Sequence, residues 1–136
     1  MPLITRGPII PTAQVGATAT AGLLRYELHV EVSARHAAQG TPVAIFGSLM
    51  AGPIAQRNTA IATPQPGQAV TIRAHWYVPG EGEVGDTVAS VETDRAGLFG
   101  VAVLARDWPV DYTAVVEGPE GQPPLATSDA VRVSPS

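Results

Sequence analysis

At the centre of the stretch 68–117 stands the sequence Thr93-Asp94-Arg95-Ala96-Gly97-Leu98-Phe99. The Asp94 carboxylate can accept a hydrogen bond from the backbone two residues further on, a pattern typical of turns. Gly97 can adopt the left-handed conformation that a type I turn with a G1 bulge requires. The sequence therefore predicts a hairpin that joins a strand over 87–93 to a strand over 98–104.

Alternation of apolar and polar residues predicts further strands on both sides of this hairpin. Over 24–32 every second residue is apolar and the residues between them are charged or histidine, which is typical of a half-buried antiparallel strand. The stretch 68–78 alternates in the same way, and we expect Trp76 to anchor the core because large aromatic side chains bury the most area. Further strands are predicted over 42–50, 112–117 and 130–133, with a short edge strand over 59–63.

Glycine and proline separate these strands. The chain has 14 Gly and 13 Pro among 136 residues, placed mainly between short apolar runs. Turn signals at intervals of about 8–12 residues indicate a β-sandwich or a β-barrel. Gly47 interrupts the strand over 42–50 and predicts a bulge or a close approach of another backbone. With 45% apolar residues in one chain of this length, a single domain with its own core is expected.

Charge and cysteine content exclude several classes of function. The net charge is −4, and the eight basic residues are all Arg, placed singly along the chain, so no nucleic-acid surface is predicted. The absence of Cys excludes disulfides and thiolate metal sites. No apolar run is long enough for a membrane span, and the first residues lack the pattern of a secretory signal. We expect a chain that is used without export and without a membrane partner.

Residues 1–22 have a composition of their own, rich in Pro, Gly, Ala and Thr. Proline at positions 2, 8 and 11 argues against a helix or a central strand. The segment nevertheless carries apolar residues that a solvated linker would not need. We therefore predict an extended N-terminal arm that is held either by its own domain or by a neighbouring subunit. We favour the neighbouring subunit, with contacts through Leu3, Ile4, Ile9, Ile10 and Val15.

Three segments carry a family resemblance: Pro66-Gly67-Gln68-Ala69-Val70-Thr71-Ile72, then Thr93 to Phe99, then Asp111-Tyr112-Thr113-Ala114-Val115-Val116. Their order resembles bacterial immunoglobulin-like domains, of the macroglobulin type or the carboxypeptidase-regulatory type. The resemblance covers 66–134, and the segments before it have no counterpart. It implies an immunoglobulin-like antiparallel β-sandwich over 23–136, preceded by the arm over 1–22.

No motif predicts a catalytic site, a cofactor site or a metal site. The stretch 80–85 fits G-x-G-x-x-G nominally, but no helix follows that could hold a pyrophosphate. The acidic loop around it is better explained as a solvated turn, and Asp107 and Asp111 as caps of the bend at Trp108-Pro109. The histidines lack the spacing of metal ligands and are expected on the surface. These residues are Glu81, Glu83 and Asp86 in the loop, and His29, His36 and His75.

Trp108 has two interpretations. A tryptophan at a loop tip is typical of a contact surface, and it can equally close one end of a sandwich. Together with Tyr77 it is the basis of a third hypothesis, a carbohydrate- or metal-binding accessory domain.

The absence of reactive groups and the predicted arm favour a non-enzymatic structural protein of a large assembly. The most specific hypothesis is a phage virion component, either a capsid decoration protein or a minor tail protein. Its expected partners are protein subunits of the same assembly, namely further copies of itself or a shell protein. The alternative is an immunoglobulin-like adhesion or ligand-binding module at the cell surface or secreted.

Overall fold

The structure, a computed structural model, describes residues 24–53 and 63–136. Every regular element in these ranges is a β-strand, so the predicted all-β class is confirmed there. In chain order the strands are β1 (Leu24–Val32), β2 (His36–Ala37), β3 (Pro42–Pro53), β4 (Thr63–Pro64), β5 (Ala69–Val78), β6 (Gly82–Glu92), β7 (Leu98–Leu104), β8 (Val110–Val116), β9 (Ala126–Thr127) and β10 (Val131–Pro135).

The strands form two sheets. The four-stranded sheet has the order β1-β3-β4, with β7 also paired to β3. The six-stranded sheet has the order β2-β10-β8-β5-β6, with β9 also paired to β8. Most pairs are antiparallel, as predicted, but β10 pairs with the short strand β2 in parallel, through Ser134 opposite His36. The six-stranded sheet is therefore mixed.

The chain divides into two compact units. One comprises Met1–Tyr26 and Ala51–Thr63, of which the structure describes only 24–26, 51–53 and 63. The other comprises Glu27–Met50 and Pro64–Ser136 and contains β2 and β5 to β10 in full. The predicted arm over 1–22 and most of the predicted edge strand over 59–63 lie outside the described residues.

Buried apolar side chains come from both sheets, as in a β-sandwich. On β5 the predicted inward residues Val70, Ile72 and Ala74 are buried. Trp76 is only half-buried, so the prediction that it anchors the core was wrong. The pairing of β5 with β8 ends at His75, opposite Asp111, and Trp76 lies beyond the last pair. The largest fully buried side chains are Ile45, Leu49, Ile72, Val43 and Val70.

The turn at 94–97 has the predicted local geometry. Gly97 has a φ of 75°, and its N–H donates to the Asp94 carbonyl at 2.9 Å. The Asp94 carboxylate accepts from the backbone N–H groups of Ala96, at 2.8 Å, and Leu98, at 3.0 Å. Asp94 thus accepts all three hydrogen bonds described here and stabilises the turn locally.

The prediction that this turn closes a hairpin was wrong. β6 pairs with β5, whereas β7 pairs with β3 in the other sheet, so the turn carries the chain from one sheet to the other. The reason lies in contacts outside the turn. The N–H of Leu49 on β3 donates to the Gly97 carbonyl at 2.8 Å, which directs the chain onto β3.

Replacing Asp94 with alanine is expected to lower the free energy of unfolding by about 1 kcal/mol, because two backbone N–H groups of the turn lose their acceptor at an exposed position. Asp94→Asn keeps an oxygen acceptor and should retain most of the stability. Urea denaturation monitored by circular dichroism measures both variants. Equal losses in the two variants would show that the charge of Asp94, and not its hydrogen bonds, supports the turn.

Candidate functional site

One candidate surface is the unpaired side of β7, called here the β7 edge. β7 pairs with β3 along its whole length, from Leu104 opposite Pro42 to Leu98 opposite Ser48. Among the described strands it has no second neighbour. Its sequence, Leu-Phe-Gly-Val-Ala-Val-Leu, contains neither a charge nor a proline. Natural proteins commonly protect edge strands with charged residues or proline, because an unprotected edge can pair with another chain. The β7 edge lacks this protection.

The outer face of β3 and β7 is also apolar. Alternation along β3 buries Val43 and Ile45 and turns Phe46 outward. Phe46 is 41% exposed, and on the neighbouring strand Leu98 and Leu104 are 48% and 61% exposed. Leu98 is two residues from Gly100, the partner of Phe46, whereas Leu104 lies at the other end of β7, opposite Pro42. Exposed apolar side chains along a sheet edge are typical of a contact surface.

A groove of about 660 Å³ separates the β7 edge from β6, the edge strand of the other sheet. Ala102, Val103 and Leu104 line one side, and Asp86, Thr87 and Val88 line the other. β6 carries the charged residues Glu83, Asp86 and Glu92 along its length. Charges of this kind oppose the pairing of a further strand. The edge formed by β6 is therefore less suited to pair with another strand than the β7 edge.

A second surface, called here the aromatic cleft, lies where β5 extends beyond its pairing with β8. Its volume is about 480 Å³, within the range typical of small-molecule sites. It brings together residues from β5, β6, β8, β10 and the loop between β7 and β8. The residues that line it are His75, Trp76, Tyr77, Glu83, Trp108, Pro109, Asp111 and Arg132.

The two tryptophans of the cleft pack against each other and against one arginine. The ring centroids of Trp76 and Trp108 are 6.5 Å apart, with 44° between the ring planes. The Arg106 guanidinium lies 5.8 Å from the Trp76 centroid and 5.6 Å from the Trp108 centroid. These cation–π contacts hold Trp108 in place while it stays 38% exposed. Both interpretations of Trp108 are thus compatible with its position.

A row of polar side chains crosses the sheet beside the tryptophans. Arg132 and His75 stand opposite Asp111 on the two neighbouring strands. Arg132 donates two hydrogen bonds to the Asp111 carboxylate, at 2.8 and 3.0 Å. His75 Nε2 lies 3.3 Å from Thr113 Oγ1. Asp111 therefore pairs across the sheet, and the prediction that it caps a bend was wrong.

The ion pair keeps Asp111 charged. Its hydrogen bond with Arg132 lowers the pKa of Asp111, with smaller charge effects from Arg132 and His75, whereas burial opposes the change. Asp111 in turn raises the pKa of Arg132. At neutral pH the row thus presents a carboxylate and a guanidinium side by side.

The sequence indicated this site only in part. Tyr77 and Trp108 were candidates, but Trp76, Arg106 and Arg132 were not, since only the register of the sheet brings them together. The arm residues Leu3, Ile4, Ile9, Ile10 and Val15 lie outside the described part of the chain.

Of the remaining candidates, His29 is exposed and lies 2.8 Å from the Glu31 carboxylate. Within residues 24–53 and 63–136, no group of three or more His, Asp or Glu side chains is placed to hold a metal ion. The same ranges contain no helix that is long and apolar enough to cross a membrane.

Comparisons with known proteins do not assign a family. No protein-family model matches the chain, and no curated protein matches it. Among solved structures, the chain has a weak similarity to Spo0M, a sporulation control protein from Bacillus subtilis, with 10% sequence identity and a TM-score of 0.40. The match covers 84% of this chain and 49% of Spo0M, so the chain spans about half the length of Spo0M. A likeness at this level carries no argument about function.

Proposed function

We propose that this chain is a non-enzymatic structural protein of a large assembly, with an immunoglobulin-like sandwich as its domain. The most specific form of the proposal is a virion component, a capsid decoration protein or a minor tail protein. The observation that supports it most is the β7 edge, which has no second partner among the described strands and carries neither a charge nor a proline. Such an edge is suited to binding an extended segment of another subunit.

Binding would follow the pattern of strand addition. Beyond Leu98, whose N–H and carbonyl already bond to Asp94, the backbone N–H and C=O groups on the outer side of β7 would pair with the incoming segment, which provides affinity. The exposed side chains of Phe46, Leu98 and Leu104 would pack against its apolar residues and set its register. The seven residues of β7 span roughly 23 Å, so a segment of similar length would cover the edge.

The segment that we propose for this role is the N-terminal arm of a neighbouring subunit. Residues 1–22 can reach up to about 70 Å when fully extended, which is ample for contact between subunits. Proline lowers the entropy lost on docking but provides no N–H, so pairing would fall between the prolines. The apolar residues that would contact β3 and β7 are Leu3, Ile4, Ile9, Ile10 and Val15.

Light scattering of the full chain and of Leu104→Lys tests the proposal. Leu104 is well exposed, so lysine should leave the fold intact while placing a charge at the end of the β7 edge. We expect the full chain to form oligomers in a concentration-dependent manner and Leu104→Lys to shift toward the monomer. Ser90→Lys is the matched control, because it adds the same charge at an exposed position of β6 and should behave as wild type.

A chain lacking residues 1–20 distinguishes the role of the arm from that of the β7 edge. If the arm of a neighbouring subunit binds the β7 edge, this truncation lowers the mass of the particles in solution as Leu104→Lys does. A full chain that is monomeric at all concentrations, and that is unaffected by both changes, would contradict self-assembly. The alternative, a cell-surface or secreted immunoglobulin-like adhesion or ligand-binding module, would then be favoured, and the aromatic cleft is the observation that supports it.

A further inference from the structure

We propose that the aromatic cleft is a binding site for a neutral glycan. This inference goes beyond the assembly role and does not depend on it, because the cleft is built around the six-stranded sheet and shares no residue with the β7 edge. It rests on a combination of exposed aromatic rings and paired polar groups within one concave surface.

The aromatic half of the cleft provides flat apolar surfaces. Tyr77 is 70% exposed although it stands on a regular strand, and Trp108, which lines the same cleft, is partly exposed. Trp76 and Arg106 contact the Trp108 ring, so little side-chain freedom of Trp108 would be lost on binding. One face of a pyranose ring consists of C–H groups and is apolar, and it can stack on such rings while their polar ends remain solvated.

The polar half provides donors and acceptors at the edge of these rings. Arg132 and Asp111 are held together by two hydrogen bonds, and the guanidinium has further N–H donors. The Asp111 and Glu83 carboxylates accept hydrogen bonds, and His75 lies between their strands. Neighbouring hydroxyl groups of a sugar each donate and accept, so they suit a carboxylate placed beside a guanidinium.

Charge favours a neutral ligand over other aromatic-binding ligands. The charges at the cleft nearly cancel, because Arg132 pairs with Asp111 and Arg106 lies over the indole rings. This leaves Glu83 and a chain with a net charge of −4. Phosphates, sulfates and uronic acids therefore find no excess of positive charge at this site. Arg106 already occupies the cation position over both indole rings, so a quaternary ammonium group would meet like charge. A proline-rich peptide could use the rings but would leave the Arg132–Asp111 pair largely unused.

The experiment is a titration of the full chain with cellohexaose, maltohexaose, mannohexaose and chitohexaose, followed by tryptophan fluorescence. Both tryptophans of the chain belong to the cleft, so the signal reports on this site alone. We expect at least one glycan to give a saturable change, and Tyr77→Ala to weaken its binding about tenfold or more. Tyr77→Phe keeps the ring and should bind within a few-fold of wild type. Asp111→Asn should weaken binding because the ion pair beside the rings is lost.

Phe46→Ala is the matched control, since it removes an exposed aromatic ring from the other sheet and should leave binding unchanged. The absence of a response to every glycan at about 10 mM would overturn the proposal, because such an affinity is about tenfold weaker than a millimolar Kd. A saturable response to a proline-rich peptide such as decaproline, without one to the glycans, would overturn it in favour of peptide binding. Glycan binding that Tyr77→Ala leaves intact would overturn the assignment to this cleft.

Discussion

Replacing Gly47 with alanine is expected to destabilise the protein by about 3 kcal/mol, the upper end of what overpacking costs. A Cβ atom at this position would overlap the backbone carbonyl oxygen of His29 on β1, and it would lie 2.8 Å from the Phe99 ring. Phe99 is itself buried, so it has little room to move. The sequence predicted a bulge or a close backbone approach here, and the structure has the close approach. Thermal and urea unfolding measure the loss.

Gly100→Ala is the matched control for this prediction. Gly100 stands on β7 opposite Phe46, one residue along the ladder from Gly47 and its partner Phe99. A Cβ at Gly100 meets its nearest atoms at 3.6 and 3.7 Å, an ordinary van der Waals contact. Because glycine in a strand carries an entropic cost, alanine there should change stability by less than about 1 kcal/mol, toward greater stability. Equal effects of the two substitutions would contradict the steric explanation.

Replacing Thr93 with valine is expected to lower the free energy of unfolding by about 2 kcal/mol, since a buried hydroxyl with two backbone partners is lost. Thr93 is buried, and its hydroxyl donates to the Gln65 carbonyl and accepts from the Gln68 N–H at 2.9 Å. The backbone of Thr93 bonds to the same loop, with its N–H on the Gln68 carbonyl and its carbonyl on the Gly67 N–H. Valine keeps the shape of the side chain but leaves the Gln68 N–H without this acceptor.

Thr93→Ser distinguishes the contribution of the hydroxyl to stability from that of the methyl group. Serine keeps both hydrogen bonds and removes one methyl, at a cost of about 1 kcal/mol or less. Chemical denaturation should therefore rank the stabilities as wild type, then serine, then valine. If valine proves more stable than serine, Thr93 acts through apolar packing, and the hydrogen bonds to 65–68 contribute little.

Periodicity alone was sufficient for most of the strands. Alternation placed strands over 24–32 and 68–78, and these, like the strands predicted over 42–50 and 98–104, each match a described strand within a few residues. This works because a strand with one buried face repeats every two residues, and that repeat is visible without any knowledge of its neighbours. The turn at 94–97 was also predictable without knowledge of distant residues, because Asp94 and Gly97 act on their own local backbone.

The candidate sites were much less predictable. Tyr77 and Trp108 suggested a surface aromatic pair, but the cleft depends on Arg132 standing opposite Asp111 and on Arg106 meeting both indoles. Register between strands far apart in sequence decides these contacts, and no local pattern records it. The β7 edge could not be predicted for a related reason. Whether a strand lies at the edge of a sheet depends on which other strands pair with it, and the strand's own sequence does not record this.

By itself the sequence determined the all-β class, the positions of the principal strands and the local form of the 94–97 turn. These three follow from short-range sterics, hydrogen bonding and apolar alternation. For Gly47 the sequence left a bulge and a close approach open, and the contacts with His29 and Phe99 decided between them. Only the tertiary structure decided that β6 and β7 belong to different sheets, that Trp76 lies in a cleft and that Asp111 pairs with Arg132. These features depend on which strands pair and in which register, and the free energy that selects the pairing comes from burial across the whole domain.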